Sequence, residues 1–111
     1  MKDTIEYPEF MKLDLRVGLV KTAEAPEWSN KLLQLTVDFG EDIGERQILA
    51  GAKNYYEPEE FVGNNYLFLV NLAEKKLGQG LSQGMMLMAD EADKPVKIEL
   101  PADLEPGTVV R

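Results

Sequence analysis

The chemistry open to this chain is bounded first by what it lacks, which is any Cys or His. That removes a disulfide framework, a zinc knuckle and a cysteine nucleophile, and with them an imidazole base or a His-ligated metal. The most suggestive remaining run is Gly80-Leu81-Ser82-Gln83-Gly84, which matches the G-x-S-x-G nucleophile elbow of serine hydrolases. An elbow needs a strand before it and a helix after it. Here a glycine-rich loop precedes the serine and an apolar, strand-like run, Met85–Ala89, follows it. The serine also needs a base, and a dyad with Lys76 is the one route left. Gly78, Gly80 and Gly84 imitate a dinucleotide fingerprint with the last glycine one position late, and no Gly-Lys-Ser/Thr follows to make a P-loop. The acidic runs at Glu41-Asp42, Glu59-Glu60 and Asp90–Asp93 lack calcium-loop spacing. They read as solvated faces. The expectation is a protein that is not an enzyme and needs neither cofactor nor metal.

Binding chemistry is better represented. Lys53-Asn54-Tyr55-Tyr56 interleaves a cation with aromatic rings, a mixture that suits single-stranded RNA, where phosphates are paired and bases stack. The same tyrosines could instead cover a barrel mouth. Lys31 and Arg46 stand near the starts of two predicted strands, as surface charges or as phosphate contacts. Trp28 lies in a polar loop and either caps one end of the fold or stacks on a base. Among Met85, Met86 and Met88, alternation sends Met86 and Met88 to one face and Met85 to the other, so one set is core and the other free.

The elements that must hold these residues follow from periodicity. The chain has 111 residues, 12 basic and 20 acidic side chains and a formal net charge of -8. That length predicts a single domain over residues 1–111, with enough apolar content for a core. Leu13, Leu15, Val17 and Leu19 alternate as in a half-buried strand, and Leu33, Leu35, Val37 and Phe39 do so again. Ala23–Asn30 reads as an irregular loop and Gly40–Glu45 as a turn. Arg46–Gly51 makes a third strand, hairpinned to the second. Pro58-Glu59-Glu60-Phe61-Val62-Gly63 has the start and stop signals of a short helix. Tyr66–Leu72 is apolar on both faces and predicts a central strand. Lys75–Gly84 reads as a loop, Met85–Ala89 as a fifth strand, and the tail from Lys94 as edge strands around turns. Five strands with a helix between the third and fourth form the layout of an OB-fold barrel, here with a C-terminal β extension. Its loop between strands four and five would flank the usual oligonucleotide face.

No apolar run approaches the roughly 20 residues that span a bilayer. The N-terminus also lacks the apolar stretch of a secretory signal. A cytoplasmic protein without membrane contact is expected. The acidic total speaks against non-specific nucleic-acid binding. The sign is uneven, however, since residues 61–89 carry only Glu74 against Lys75 and Lys76.

Several blocks, taken in order, resemble one family. They are Leu13–Gly18, Lys31–Gly40, Arg46-Gln47-Ile48, Tyr56–Gly63, Asn71-Leu72 and Ser82-Gln83-Gly84-Met85. Together they are similar to the tRNA-binding domain found at the C-terminus of methionyl-tRNA synthetases, as a free-standing homodimeric protein, and in synthetase cofactors with a cytokine-like domain. The resemblance runs from about Phe10 to the C-terminus. It implies an OB-fold whose C-terminal extension helps form a homodimer, and structure-specific binding of tRNA beside methionyl-tRNA synthetase or as part of it. Carried across residue by residue, it implies RNA contacts from Lys31, Arg46, Ser82, Gln83 and Met85, with Lys53 and Lys76 as supporting charges and Asn30 as a weaker candidate. Some relatives are export-related chaperones. A chaperone-like or synthetase-docking dimer is therefore the alternative, although Ser82–Met85 follows the tRNA-binding version. The acidic Glu41–Glu45 loop and Glu57, Glu59 and Glu60 depart from the more basic members and predict modest affinity.

Overall fold

The computed structural model describes residues 1–111. A single helical turn, α1 (Tyr7–Phe10), leads into β1 (Leu15–Glu24), β2 (Leu33–Asp38) and β3 (Glu45–Ala50), with one more turn of helix, α2 (Gly40–Ile43), between β2 and β3. A 3-10 turn at Pro58–Glu60 precedes β4 (Asn65–Leu69). Short pieces follow: β5 (Lys75–Leu77), β6 (Gly80–Ser82), β7 (Met85–Met86), β8 (Ala89–Glu91), β9 (Lys94–Val96), β10 (Glu99–Leu100) and β11 (Val109–Val110). The protein's regular secondary structure is almost wholly β.

The main sheet is antiparallel and runs β10-β4-β1-β2-β3, with β11 added to β1 and β7 added to β4. β1 is long enough to serve two partners. Leu15–Leu19 pairs with β4 on one edge, and Leu19–Glu24 pairs with β2 on the other. A register shift between Val20 and Thr22 leaves Lys21 as the extra residue, which bends and twists the strand so that it turns from one partner to the next. Alternation in β2 buries Leu33, Leu35 and Val37 and turns Gln34, Thr36 and Asp38 outward. Across the core, Phe39 and Phe68 meet edge to face at 5.1 Å, and Phe61 lies between Tyr56 and Tyr66 at 5.5 and 5.6 Å. Gly18 permits this closure, because a Cβ there would stand 2.6 Å from Val37 and 2.7 Å from Phe68.

The C-terminal segment is tied to the same body. The Gly107 amide donates to the Val17 carbonyl at 2.8 Å, and the Val17 amide donates to the Thr108 carbonyl at 2.9 Å. The Arg16 guanidinium donates to the Gly107 carbonyl at 3.1 Å and pairs with Asp14 at 2.7 Å. The hydrogen bond to Asp14 raises the Arg16 pKa further above its ordinary value. Asn65 Nδ2 donates to the carbonyls of Pro101 and Leu104.

Several sequence expectations are corrected. β1 runs on to Glu24, through residues read as loop, because β2 supplies a partner there. The predicted helix at Pro58–Gly63 shortens to a 3-10 turn; Glu57 and Glu60 cap it reciprocally, and Phe61 then leaves it for the core. The predicted glycine loop at Lys75–Gly84 contains a hairpin, β5 with β6. The predicted strand Met85–Ala89 divides, Met85-Met86 pairing with β4 and Ala89 joining the β8–β9 hairpin.

Candidate nucleic-acid interface

The outer edge of β3 meets residues 81–83, and side chains do much of the pairing. The Gln83 amide donates to the Gln47 carbonyl at 2.8 Å. In return the Gln47 amide donates to Gln83 Oε1 at 2.9 Å, and the Leu81 amide donates to Gln47 Oε1 at 3.2 Å. Further along β3, the Leu49 amide donates to Ser82 Oγ at 3.1 Å, and that hydroxyl donates to the Gly84 carbonyl at 2.9 Å. Arg46 closes the end of this seam, its Nη1 reaching the carbonyls of Val70 at 2.6 Å and Gln83 at 3.3 Å. Side-chain oxygens thus stand in for strand carbonyls, which satisfies buried backbone groups.

The seam fixes the β5–β6 hairpin over the β1–β2 loop. Gly78 and Gly80 lie on the Trp28 ring; a Cβ on either would come within 2.8 or 2.9 Å of ring carbons. Trp28 is therefore a platform for the protein's own hairpin. Lys53 holds the same loop from beneath, its Nζ donating to the carbonyls of Pro26, at 3.0 Å, and Ser29. Ser29 Oγ accepts from the Lys31 and Leu32 amides at 3.2 and 3.1 Å, which sets the departure of Lys31. The outcome is a rim at one end of the sheet that carries Lys31 on the loop and Lys75 and Lys76 on the hairpin, all exposed. Glu24, Glu27 and Glu74 stand on or beside the same segments. Asp38, Glu41, Asp42 and Glu45 cluster at the other end of the β2–β3 hairpin. Six residues of strand separate the two ends, about 20 Å at strand rise. That is more than twice the Debye length of about 8 Å at physiological salt, so the far carboxylates act weakly on the rim.

The expected contact residues separate into two groups. Lys31, Lys76 and Met85 are exposed, Met85 by 47%. Asn30 is exposed beside Lys31. Ser82 is buried and its hydroxyl is engaged at both ends, so it is a seam residue and not a nucleophile poised in a cleft. Gln83 is half-buried, with Oε1 taken by Gln47 and Nε2 donating to Glu74 at 3.1 Å. Arg46 and Lys53 are half-buried and spend hydrogen bonds on backbone carbonyls. Met86 lies in the core and Met88 packs against it, as the alternation requires.

Sequence reasoning placed Gln47 in the Arg46-Gln47-Ile48 block but gave it no role, and it missed Lys97. The latter lies 5.3 Å from the centres of both the Tyr56 and Phe61 rings and donates to the Glu60 carbonyl at 3.2 Å. An outward β3 position opposite a glycine-flanked Ser-Gln pair was the available signal for Gln47. Lys97 gave none.

An all-β protein that exposes three lysines, interspersed with carboxylates, on the loop and hairpin at one end of its sheet has the form of a binding module. The family model described as "Putative tRNA binding domain" matches residues 15–109. The chain belongs to that family. The methionine–tRNA ligase of Methanococcoides burtonii is 43% identical over 110 residues, which cover 98% of this chain and 16% of that enzyme. The chain thus spans about a sixth of the length of the curated relatives it matches. Among solved structures, a MetRS-related protein from Pyrococcus horikoshii superposes with a TM-score of 0.92 at 38% identity, covering 99% of this chain and 100% of that one. The chaperone CsaA from Bacillus anthracis has a TM-score of 0.86 at 29% identity, covering 98% and 100%.

Proposed function

We propose that residues 1–111 form one non-catalytic domain that binds tRNA by shape and charge and serves methionyl-tRNA synthetase, as a separate subunit or as an appended domain, in the cytoplasm. The observation that carries this reading is that Lys31, Lys75 and Lys76 are exposed on the two segments that meet at Trp28, the β1–β2 loop and the β5–β6 hairpin, away from the acidic end, in a chain of this family. The lysines pair phosphates, Met85 packs on a sugar or base, Ser82 holds the rim in place, and Arg46, Lys53 and Gln83 do the same while their remaining N–H donors add to it. The underlying architecture is an OB-type barrel. Support comes from a bent β1 shared by β2 and β4, and from the β3 seam that brings residues 81–83 across the remaining gap. Modest affinity is sufficient when a synthetase supplies a linked second site.

A salt-series gel shift with unfractionated tRNA tests the reading. Lys31→Ala with Lys76→Ala should reduce the salt slope by about one per lysine and weaken retention. A wild type that ignores tRNA at low salt, or a double variant with an unchanged slope, overturns it.

A homodimer belongs to the same proposal. Ile5, Tyr7 and Met11 in the N-terminal arm, with Ile98 and Val109 in the tail, expose 44–70% of their surface. A second copy would cover such apolar edges, and a monomeric mass by light scattering at micromolar concentration counts against it. These exposed side chains and the likeness to CsaA also favour a second reading, a protein-binding dimer. An unfolded client that tRNA fails to displace would select that reading.

A further inference from the structure

A concavity lies beside Lys31. It is an open cleft of about 480 Å³ between the loop after β3 and the β8–β9 hairpin, within the size range of ligand sites. Lys31, Asn54, Tyr55, Met88, Asp90 and Asp93 line it. Its walls are already joined. Tyr56 Oη donates to the Pro95 carbonyl at 3.0 Å, and the Lys97 amide donates to the same oxygen of Tyr56 at 3.4 Å. Met88 forms an apolar floor continuous with the core, while Tyr55 is 47% exposed.

The charges in this cleft are not spent on one another. The ion pairs within 4.0 Å in this protein are those of Arg16 with Asp14 and Asp42. Lys31, Asp90 and Asp93 thus line the cleft as one cationic and two acidic residues without an ion-pair partner. A simple anion would meet the aspartates, and a simple cation would leave Lys31 without a partner. A ligand with a phosphate at one end and N–H donors at the other uses all three.

We propose that this cleft takes an unpaired guanine nucleotide of an RNA strand. The base stacks on Tyr55, and its 5′-phosphate pairs with Lys31. The Watson–Crick edge of guanine donates to the aspartates. Ionised carboxylates only accept hydrogen bonds, and guanine alone among the four bases offers two adjacent donors, N1–H and N2–H, on that edge. Adenine and cytosine each set one amino group beside an acceptor nitrogen, and uracil sets one N–H between carbonyls. The acidic hairpin, unfavourable toward phosphate, thereby becomes a reader of base identity. The inference rests on the RNA-binding reading through Lys31 and adds sequence preference to it.

The test uses the full chain and the short RNAs UUGUU, UUAUU and UUIUU, where inosine lacks N2–H, followed by amide chemical-shift titration. UUGUU should bind about tenfold tighter than UUAUU, with UUIUU between them. The Asp90 and Asp93 side chains are exposed and neither hydrogen-bonded nor ion-paired, so Asp90→Asn with Asp93→Asn should fold normally and erase the preference. Tyr55→Ala should weaken all three RNAs. Equal affinities in the wild type, or a preference that survives the double Asn variant, overturns the proposal. So does displacement of UUGUU by a Gly-Arg-Gly peptide at lower concentration than by guanosine 5′-monophosphate, which would make the cleft a site for basic protein segments. Retention of whole tRNA separates the two claims. A double Asn variant that still retains tRNA while the wild type shows no guanine preference sinks this inference alone. Guanine preference in a protein that ignores whole tRNA sinks the tRNA reading alone.

Discussion

The segment from Leu15 to Leu69 and the segment from Lys75 onward are held together by different means. The first is built from strands of five to ten residues in a continuous ladder, with alternate side chains entering one core. The second is made of strands of two or three residues. Its position depends on side chains that imitate backbone: Gln47, Ser82 and Gln83 along β3, Asn65 against Pro101 and Leu104, and Tyr56 between Pro95 and Lys97. Strands this short cannot fix a register by pattern alone. A few directed polar contacts do so instead. Polar residues that resemble the contacts of an interface can therefore be its internal fasteners, and here the exposed lysines are mounted on them.

This contrast can be broken most forcefully from the ladder side. Leu35→Ala, in the fully buried centre of β2, should cost about 2–5 kcal/mol and lower the urea midpoint of the whole protein. If it altered only the later segment, the two would not share a core. From the fastener side, Ser82→Ala leaves the Leu49 amide without its acceptor. It should cost about 1–3 kcal/mol and speed hydrogen exchange at Leu49 while amides of the β1–β2 ladder keep their protection. Uniform loss of protection would show that the seam is not a separate fastening. The smallest effect sharpens the junction of the two segments, where Tyr66 on β4 lies opposite Glu99 on β10. Burial raises the Tyr66 pKa above its ordinary 10.0, and Glu99 and Glu60 push the same way, while a hydrogen bond from Asn64 opposes them. The phenolate therefore forms more readily in the unfolded chain. Stability should be intact below pH 10.0 and decline as pH rises from there toward the raised value. Tyr66→Phe should flatten that alkaline decline in chemical-denaturation curves, and an equal decline in both proteins would remove Tyr66 as its source.

Alternation makes β2 legible in the sequence, hairpin spacing β3 and a two-faced apolar run β4, and Leu33, Leu35, Val37, Ile48 and Phe68 are buried. The Lys75–Gly84 hairpin is not legible there. Gly78, Gly80 and Gly84 read as loop residues, while their role is to fit against Trp28 and the β4 backbone. The candidate site divides along the same line. Lys31, Lys76 and Met85 are exposed, as contact residues must be. Ser82, Gln83, Arg46 and Lys53 carry the polar, directional chemistry that marks them in the sequence, but the fold points much of it inward.

Residue type and short-range period were enough for the succession of strands along the ladder segment, the family resemblance, the absence of imidazole and thiol chemistry, and the uneven sign of charge. A linear chain displays all of these directly. The division of polar groups into those spent within the protein and those left to a partner arose only on folding. A hydrogen bond such as Leu49 to Ser82 joins residues 33 positions apart, and no local pattern encodes which distant carbonyl or amide will fall within its reach.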